Sequence, residues 1–339
     1  MKKIKILLVE DSQTAQAALK KILIQQPDFE IVGMAKDGVE GFSMFQSFTP
    51  DIVCTDLVMP NMNGLDLTKK IMATAPKPVL VISDAVGKGD EANVFSLLEA
   101  GALDVIQKPR GEDFSSMSDE LIKKIRVLSG VVVFSKKGVG PVPQKTESSS
   151  LKNSPIEIVV IGASTGGPPA LNEILAEIPS NFSKPIVIVQ HITVGFTGGL
   201  IDWLNDICSL KVQFANEGEK PTKGNIYFPQ ENVHLGIDSS GKFKYDNSPP
   251  YKGHRPAVNE TFVSFGKHYK NQMLAVLLTG MGDDGANGMK VCRDNGAYTI
   301  AQDEASSVVY GMPRVAKELG AAMEVLSLRE IVKKIHSLG

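Results

Sequence analysis

The chain is short of cysteine, of net charge and of long apolar runs, and each shortage removes a class of protein. Its 339 residues hold three cysteines, Cys54, Cys208 and Cys292. They are odd in number, widely spaced and in no C-x-x-C pair, so neither a disulfide framework nor a structural zinc site is indicated, and reduced thiols are expected. Lys and Arg total 36 against 38 Asp and Glu, a net charge of −2. That balance offers no general attraction to nucleic acid or to an anionic membrane, so a DNA-binding output is not expected. The first apolar run, Ile4 to Val9, is only six residues long and ends in Glu10-Asp11. It is too short for a signal peptide or a membrane span, and a cytoplasmic protein that is not membrane-embedded is expected. No internal repeat is present.

What is there is alternation. At about 150 residues per domain the chain has room for two. Up to residue 128, short apolar runs alternate with helix-like segments: IKILLV (4–9), FEIVGMA (29–35), PDIVCTD (50–56), KPVLVIS (77–83) and ALDVIQK (102–108). This spacing predicts a parallel sheet of five strands with helices on both faces. Around 130–155 the texture changes to Gly, Pro, Ser and Lys, with Pro141 and Pro143 favouring an extended tether. From Ile156 the alternation resumes with IEIVVIG, KPIVIVQH, GNIYFP and QMLAVLLTG. These runs are continuously apolar, as strands buried on both faces are. The expected fold class is α/β: two doubly wound domains with mostly parallel sheets, a five-stranded unit at 1–128 and a larger one at 156–339, joined by a flexible linker at 129–155.

In the first domain Glu10 and Asp11 close strand one, Asp56 strand three and Ser83 strand four, and Lys108 follows strand five. Doubly wound sheets keep their sites at these strand ends. Converging carboxylates call for a hard cation such as Mg²⁺, and a lysine and a hydroxyl beside them could pair with a phosphoryl group placed on one carboxylate. The motifs LLVEDS, DIVCTDLVMPNMNGLDL, VLVIS and IQKP resemble the receiver domain of bacterial response regulators over residues 1–125. The resemblance implies that Asp56 accepts a phosphoryl group from a histidine kinase. It further implies that Glu10, Asp11, Asp56 and the Val58 carbonyl bind Mg²⁺, and that Ser83 and Lys108 act as the switch hydroxyl and the phosphate partner.

The second domain opens on EIVVIGASTGGPPAL (157–171). A phosphate loop is one reading, but Ser164 stands where G-x-G-x-x-G needs glycine, and Pro168-Pro169 offer an anion no N–H. Gly162-Ala163-Ser164-Thr165-Gly166 is instead G-x-S-x-G at a strand-to-helix turn, a mount for a nucleophile. A base and an acid are then required. His191 ends the strand KPIVIVQH, and Asp283 and Asp284 follow the strand QMLAVLLTG, so three strand ends supply hydroxyl, imidazole and carboxylate. The order Ser, His, Asp is not that of α/β-hydrolases, but triad roles are geometric. The other histidines fit less well: His234 in a half-exposed strand, His254 in a loop, His268 and His336 in helix-like segments. Spacing leaves Asp283 and Asp284 as equal alternatives.

The segments VVIGASTGG, PIVIVQHITVGFTGGL, GNIYFPQENVHL, VLLTGMGDDGANG and GMPRVA are similar to the catalytic domain of the chemotaxis protein-glutamate methylesterases, the CheB family, over about 155–337. The resemblance implies a Ser164, His191, Asp284 triad, an oxyanion site at the Met281 N–H and a site lining that includes Thr165. It implies demethylation of glutamate γ-methyl esters on chemoreceptors, with deamidation of receptor glutamines as a second activity, regulated by phosphorylation and needing no cofactor for hydrolysis. Two segments depart from the family pattern: His191-Ile192-Thr193, where His-Met-Pro is usual, and His254-Arg255-Pro256-Ala257-Val258-Asn259. A receptor-binding adaptor without hydrolase activity and a nucleotide-binding enzyme are the competing readings.

Overall fold

The computed structural model describes residues 2–83, 91–109, 114, 117–133, 151 and 154–339. Most of the expected tether, including Pro141 and Pro143, lies outside the described residues. The chain divides into two compact units, 1–144 and 145–339.

In the first unit the strands β1 (Ile4–Val9), β2 (Phe29–Ala35), β3 (Ile52–Thr55), β4 (Val79–Ser83) and β5 (Asp104–Gln107) form one parallel sheet in the order β2-β1-β3-β4-β5. The helices α1 (Gln13–Leu23), α2 (Gly38–Phe48), α3 (Gly64–Thr74), α4 (Glu91–Ala100) and α5 (Ser118–Leu128) complete it. Three of them start on side-chain caps from Ser12, Asp37 and Asn63, which accept N–H bonds that the first turn would otherwise leave open. Because β1 lies between β2 and β3, the winding reverses there, and the crevice at the carboxyl ends of β1 and β3 is where such a sheet binds ligands.

The second unit contains β6 (Ile158–Ala163), α6 (Gly167–Ala176), β7 (Ile186–Gln190), α7 (Thr197–Ile207), β8 (Lys211–Phe214), β9 (Asn225–Phe228), β10 (His234–Ile237), β11 (Phe243–Asp246), α8 (Val258–Tyr269), β12 (Met273–Leu277), α9 (Ala286–Asp294), β13 (Tyr298–Gln302), α10 (Met312–Glu318), β14 (Glu324–Leu326) and α11 (Leu328–His336). Seven of the strands make a parallel sheet in the order β14-β13-β12-β6-β7-β9-β8. Its centre, β12-β6-β7, is buried at every position, as the continuous apolar runs require. From β6 the chain winds outward through β7 and later returns to β12 on the other side, so the second reversal lies between β6 and β12.

The strands β10 and β11 form a separate antiparallel hairpin on which α8 packs, with Leu235, Phe243, Phe262 and Phe265 in one core cluster. That packing corrects the half-exposed reading of His234, which is buried. Its Nδ1 accepts from Ala257 N at 3.2 Å, and its Nε2 lies 3.2 Å from Pro249 O. Among the described residues no helix is long and apolar enough to cross a membrane.

Candidate active site

The reversal beside β6 brings three chain segments to one edge. Ala163 and Gln190 are register partners on β6 and β7, so Ser164 and His191 are the next residues on adjacent strands. His191 N donates to Ala163 O at 2.9 Å, and Ser164 N donates to Thr279 O, beyond β12, at 3.0 Å. The buried Gln190 amide ties the first two together, its Nε2 donating to both Ser164 O and His191 O at 2.8 Å.

The glycines around Ser164 are set by close approach to protein atoms. A Cβ on Gly162 would stand 2.2 Å from Val258 Cγ1, and one on Gly167 would stand 1.9 Å from Gln190 Oε1. Gly166 has φ 77°, in the left-handed region that favours glycine, and lies against Val308. At these three glycines surrounding side chains already fill the space a Cβ would take. The turn holds the half-buried Ser164 ahead of α6.

Opposite it, His191 Nε2 lies 2.8 Å from Asp284 Oδ2. Asp284 also accepts from Val258 N at 2.7 Å, Asn259 N at 3.0 Å and Gly285 N at 2.8 Å. Two of these donors are the opening N–H groups of α8, the positive end of a helix dipole. Burial raises the Asp284 pKa, but the bond to His191, its charge and the backbone donors outweigh that, and the carboxyl sits below its ordinary value. A carboxylate accepts only, so Nε2 carries the ring proton. Nδ1, buried and without a hydrogen bond among the described residues, is left as the basic nitrogen. No hydrogen bond joins it to Ser164 Oγ.

Asp283 points elsewhere: it is half exposed and pairs with Lys252. Gly280 presses on Ser164, whose Cβ would be 2.8 Å from a Cβ placed there. The next residue, Met281, has an N–H that no hydrogen bond engages within the described residues. Thr165 is buried, and its carbonyl accepts from Thr279 Oγ1 at 2.9 Å. A recess lined by Gln190, Ile192, Thr197, Glu231 and Arg255 draws residues from both segments that depart from the family pattern.

Two contacts were not visible in the sequence. Glu231 accepts from Gly195 N and Thr197 N at 2.8 and 3.2 Å, capping α7 from another loop. His254 stacks face to face on His191, with ring centroids 3.8 Å apart and planes 5° from parallel. Neither partner is near in sequence, and no local pattern marks them.

In the first unit Glu10, Asp11 and Asp56 each offer a carboxylate oxygen within 4.8 Å of the others. Lys108 Nζ lies 2.7 Å from Glu10 Oε2 and 2.5 Å from Asp56 Oδ2. Burial, helped by the Asp56 charge, holds the Glu10 pKa up against the pull of Lys108. Burial works against the Lys108 ammonium, yet the two carboxylates keep its pKa above the ordinary value. Gly64 packs so tightly that a Cβ would stand 2.1 Å from Asp56 O. Ser83 is fully buried at the end of β4, its carbonyl accepting from Lys108 N at 2.8 Å, and Val58 is exposed just after Asp56. The all-oxygen donor set of three carboxylates fits a hard divalent cation.

Comparison with known proteins agrees with both halves. Residues 159–335 match the model of the CheB methylesterase family, and residues 6–119 match that of the response regulator receiver domain. A protein-glutamate methylesterase/protein-glutamine glutaminase of Nitrosospira multiformis is 36% identical over 99% of this chain and 97% of its own. One of the same description from Cupriavidus pinatubonensis is 38% identical over 98% and 96%. The crystal structure of the Thermotoga maritima CheB methylesterase catalytic domain is 40% identical, covers 53% of this chain and 97% of that one, and superposes with a TM-score of 0.52.

Proposed function

Because the chain belongs to the CheB methylesterase family and carries a response regulator receiver domain ahead of the esterase domain, we propose that Ser164, His191 and Asp284 hydrolyse glutamate γ-methyl esters on chemoreceptors. The observation that carries this reading is the Asp284–His191 hydrogen bond, set on strand ends next to the Ser164 turn.

His191 Nδ1 takes the Ser164 proton as Oγ attacks the ester carbonyl, while Asp284 stabilises the imidazolium through Nε2. The Met281 N–H faces the developing oxyanion, with Thr165 lining the site. The proton passes from His191 to the departing methanol. Water, activated by the same nitrogen, then cleaves the glutamyl-serine ester and restores the hydroxyl. An ammonia leaving group in place of methanol gives glutamine deamidation by the same route.

In the receiver, Glu10, Asp11, Asp56 and the Val58 carbonyl would hold Mg²⁺, which supplies charge neutralisation for phosphoryl transfer from a histidine kinase to Asp56. Lys108 already contacts Asp56 and is placed to pair with the added phosphoryl oxygens, with Ser83 as the switch hydroxyl. Phosphorylation adds about −1.5 to −2 charge and relieves inhibition of the esterase domain. The domain limits that go with this reading are 1–128, a tether at 129–155, and 156–339.

Labelling with a phosphonofluoridate serine reagent tests the assignment. The adduct is expected on the peptide carrying Ser164, is expected to be lost in His191→Ala and to be slowed by methylated receptor. Labelling confined to another residue would contradict it.

A further inference from the structure

We infer that His254 is a positioning residue for this hydrolysis, fixing the plane of the His191 ring so that one edge meets Asp284 while the other faces Ser164. The inference rests on the reading of Ser164, His191 and Asp284 given above. A single hydrogen bond holds an imidazole at one atom and leaves the ring free to tilt about it. Tilting about Nε2 would swing Nδ1, the nitrogen that must reach the Ser164 proton. A second flat ring lying 3.8 Å from the first at 5° removes that freedom.

The mount of His254 suits the task. Tyr251 and His254 exchange N–H to O bonds of 3.1 and 2.9 Å, and the two residues between them, Lys252 and Gly253, have φ of 50° and 89°. Positive φ at both central positions is the signature of a type I′ two-residue hairpin, a stiff turn. At its tip Lys252 pairs with Asp283, the chain neighbour of Asp284. On the other side the chain runs through Arg255, Pro256 and Ala257 directly into the α8 N-terminus, whose Val258 and Asn259 N–H groups grip Asp284. One continuous segment, 251–259, therefore touches both the base and the acid and sets them relative to each other. In this role His254 acts through the His191 ring on which it stacks.

The test uses the full chain with His254→Ala, His254→Gln and His254→Phe, measuring methanol release from methyl-esterified receptor together with the urea unfolding midpoint. Loss of alignment of about an ångström at a reacting group costs up to about 100-fold in rate. His254→Ala and His254→Gln are expected to lower kcat by about 10- to 100-fold with KM changed less than about twofold. His254→Phe, which keeps a flat ring, is expected within about threefold of wild type. Should the alanine variant fail to fold, the glutamine and phenylalanine pair still separates ring from no ring. Wild-type kcat in the ringless variants, or a phenylalanine variant as slow as they are, would overturn the inference. Ser164→Ala run alongside keeps the two ideas apart. Activity there would remove the nucleophile reading, whereas a dead Ser164→Ala with fully active ringless variants would remove only the role of His254.

Discussion

At the scale of single residues, the two adjacent aspartates are the sharpest contrast. They are equivalent in sequence and opposite in environment: Asp284 is buried under four hydrogen bonds, and Asp283 shares an exposed ion pair with Lys252. Asp284→Asn is expected to lower kcat by about 10²- to 10⁴-fold, because the amide no longer fixes the His191 tautomer. Asp283→Asn removes an exposed pair, an interaction usually below about 1 kcal/mol, and should leave turnover within about threefold. The depressed pKa of Asp284 also fixes a pH dependence. A carboxyl whose folded pKa lies below its unfolded value stabilises the fold fully above that unfolded value, here about 3.8, and loses the contribution as pH falls through the lower folded value. Urea unfolding of wild type and Asp284→Asn should therefore differ above that value and converge as pH falls well below it. A gap that stays constant down to strong acid would contradict this.

At the scale of elements, α8 is the part on which the site depends and the part least legible in the sequence. The central strands are legible because β6 and β12 are apolar throughout and β7 is apolar up to Gln190, and their ends place Ser164, His191 and the Asp283-Asp284 pair on one edge. The outer strands β8, β13 and β14 mix polar with apolar residues and give no continuous apolar run in the sequence. The grip of α8 on Asp284 is made by backbone N–H groups, which leave no residue signature, and the His254 stack depends on a hairpin set by Lys252 and Gly253 far along the chain. His234 looked half-exposed because alternation cannot show that α8 covers the hairpin. The contact between Gly162 and Val258 gives a test at this scale. Gly162→Ala forces Val258 away and is expected to cost about 1–3 kcal/mol of stability as well as activity, since the Val258 N–H moves with it. Adding Val258→Ala makes room, so the double variant should be more stable than the sum of the two single costs allows. Additive losses in urea unfolding would count against the coupling.

At the scale of the whole molecule, a receiver domain precedes an esterase domain, and the proposed phosphorylation of Asp56 makes control of the esterase the property to test. Exposure to a small phosphodonor such as acetyl phosphate with Mg²⁺ is expected to raise methanol release by the full chain. Asp56→Asn should abolish the rise, and so should chelation of the metal. A chain lacking residues 1–150 should hydrolyse ester faster than the unphosphorylated full chain and ignore the phosphodonor. Equal rates for the truncated and unphosphorylated chains would remove inhibition by the receiver as the mode of control.

The measurement closest to the centre of this picture is methanol release from methyl-esterified chemoreceptor by matched samples of wild type and Ser164→Ala. The expected result is steady release by wild type and a fall of at least about 10³-fold in the variant, with its unfolding midpoint unchanged. Release by Ser164→Ala at the wild-type rate would contradict the assignment of Ser164 as the nucleophile, and absence of release by phosphorylated wild type would contradict the esterase itself.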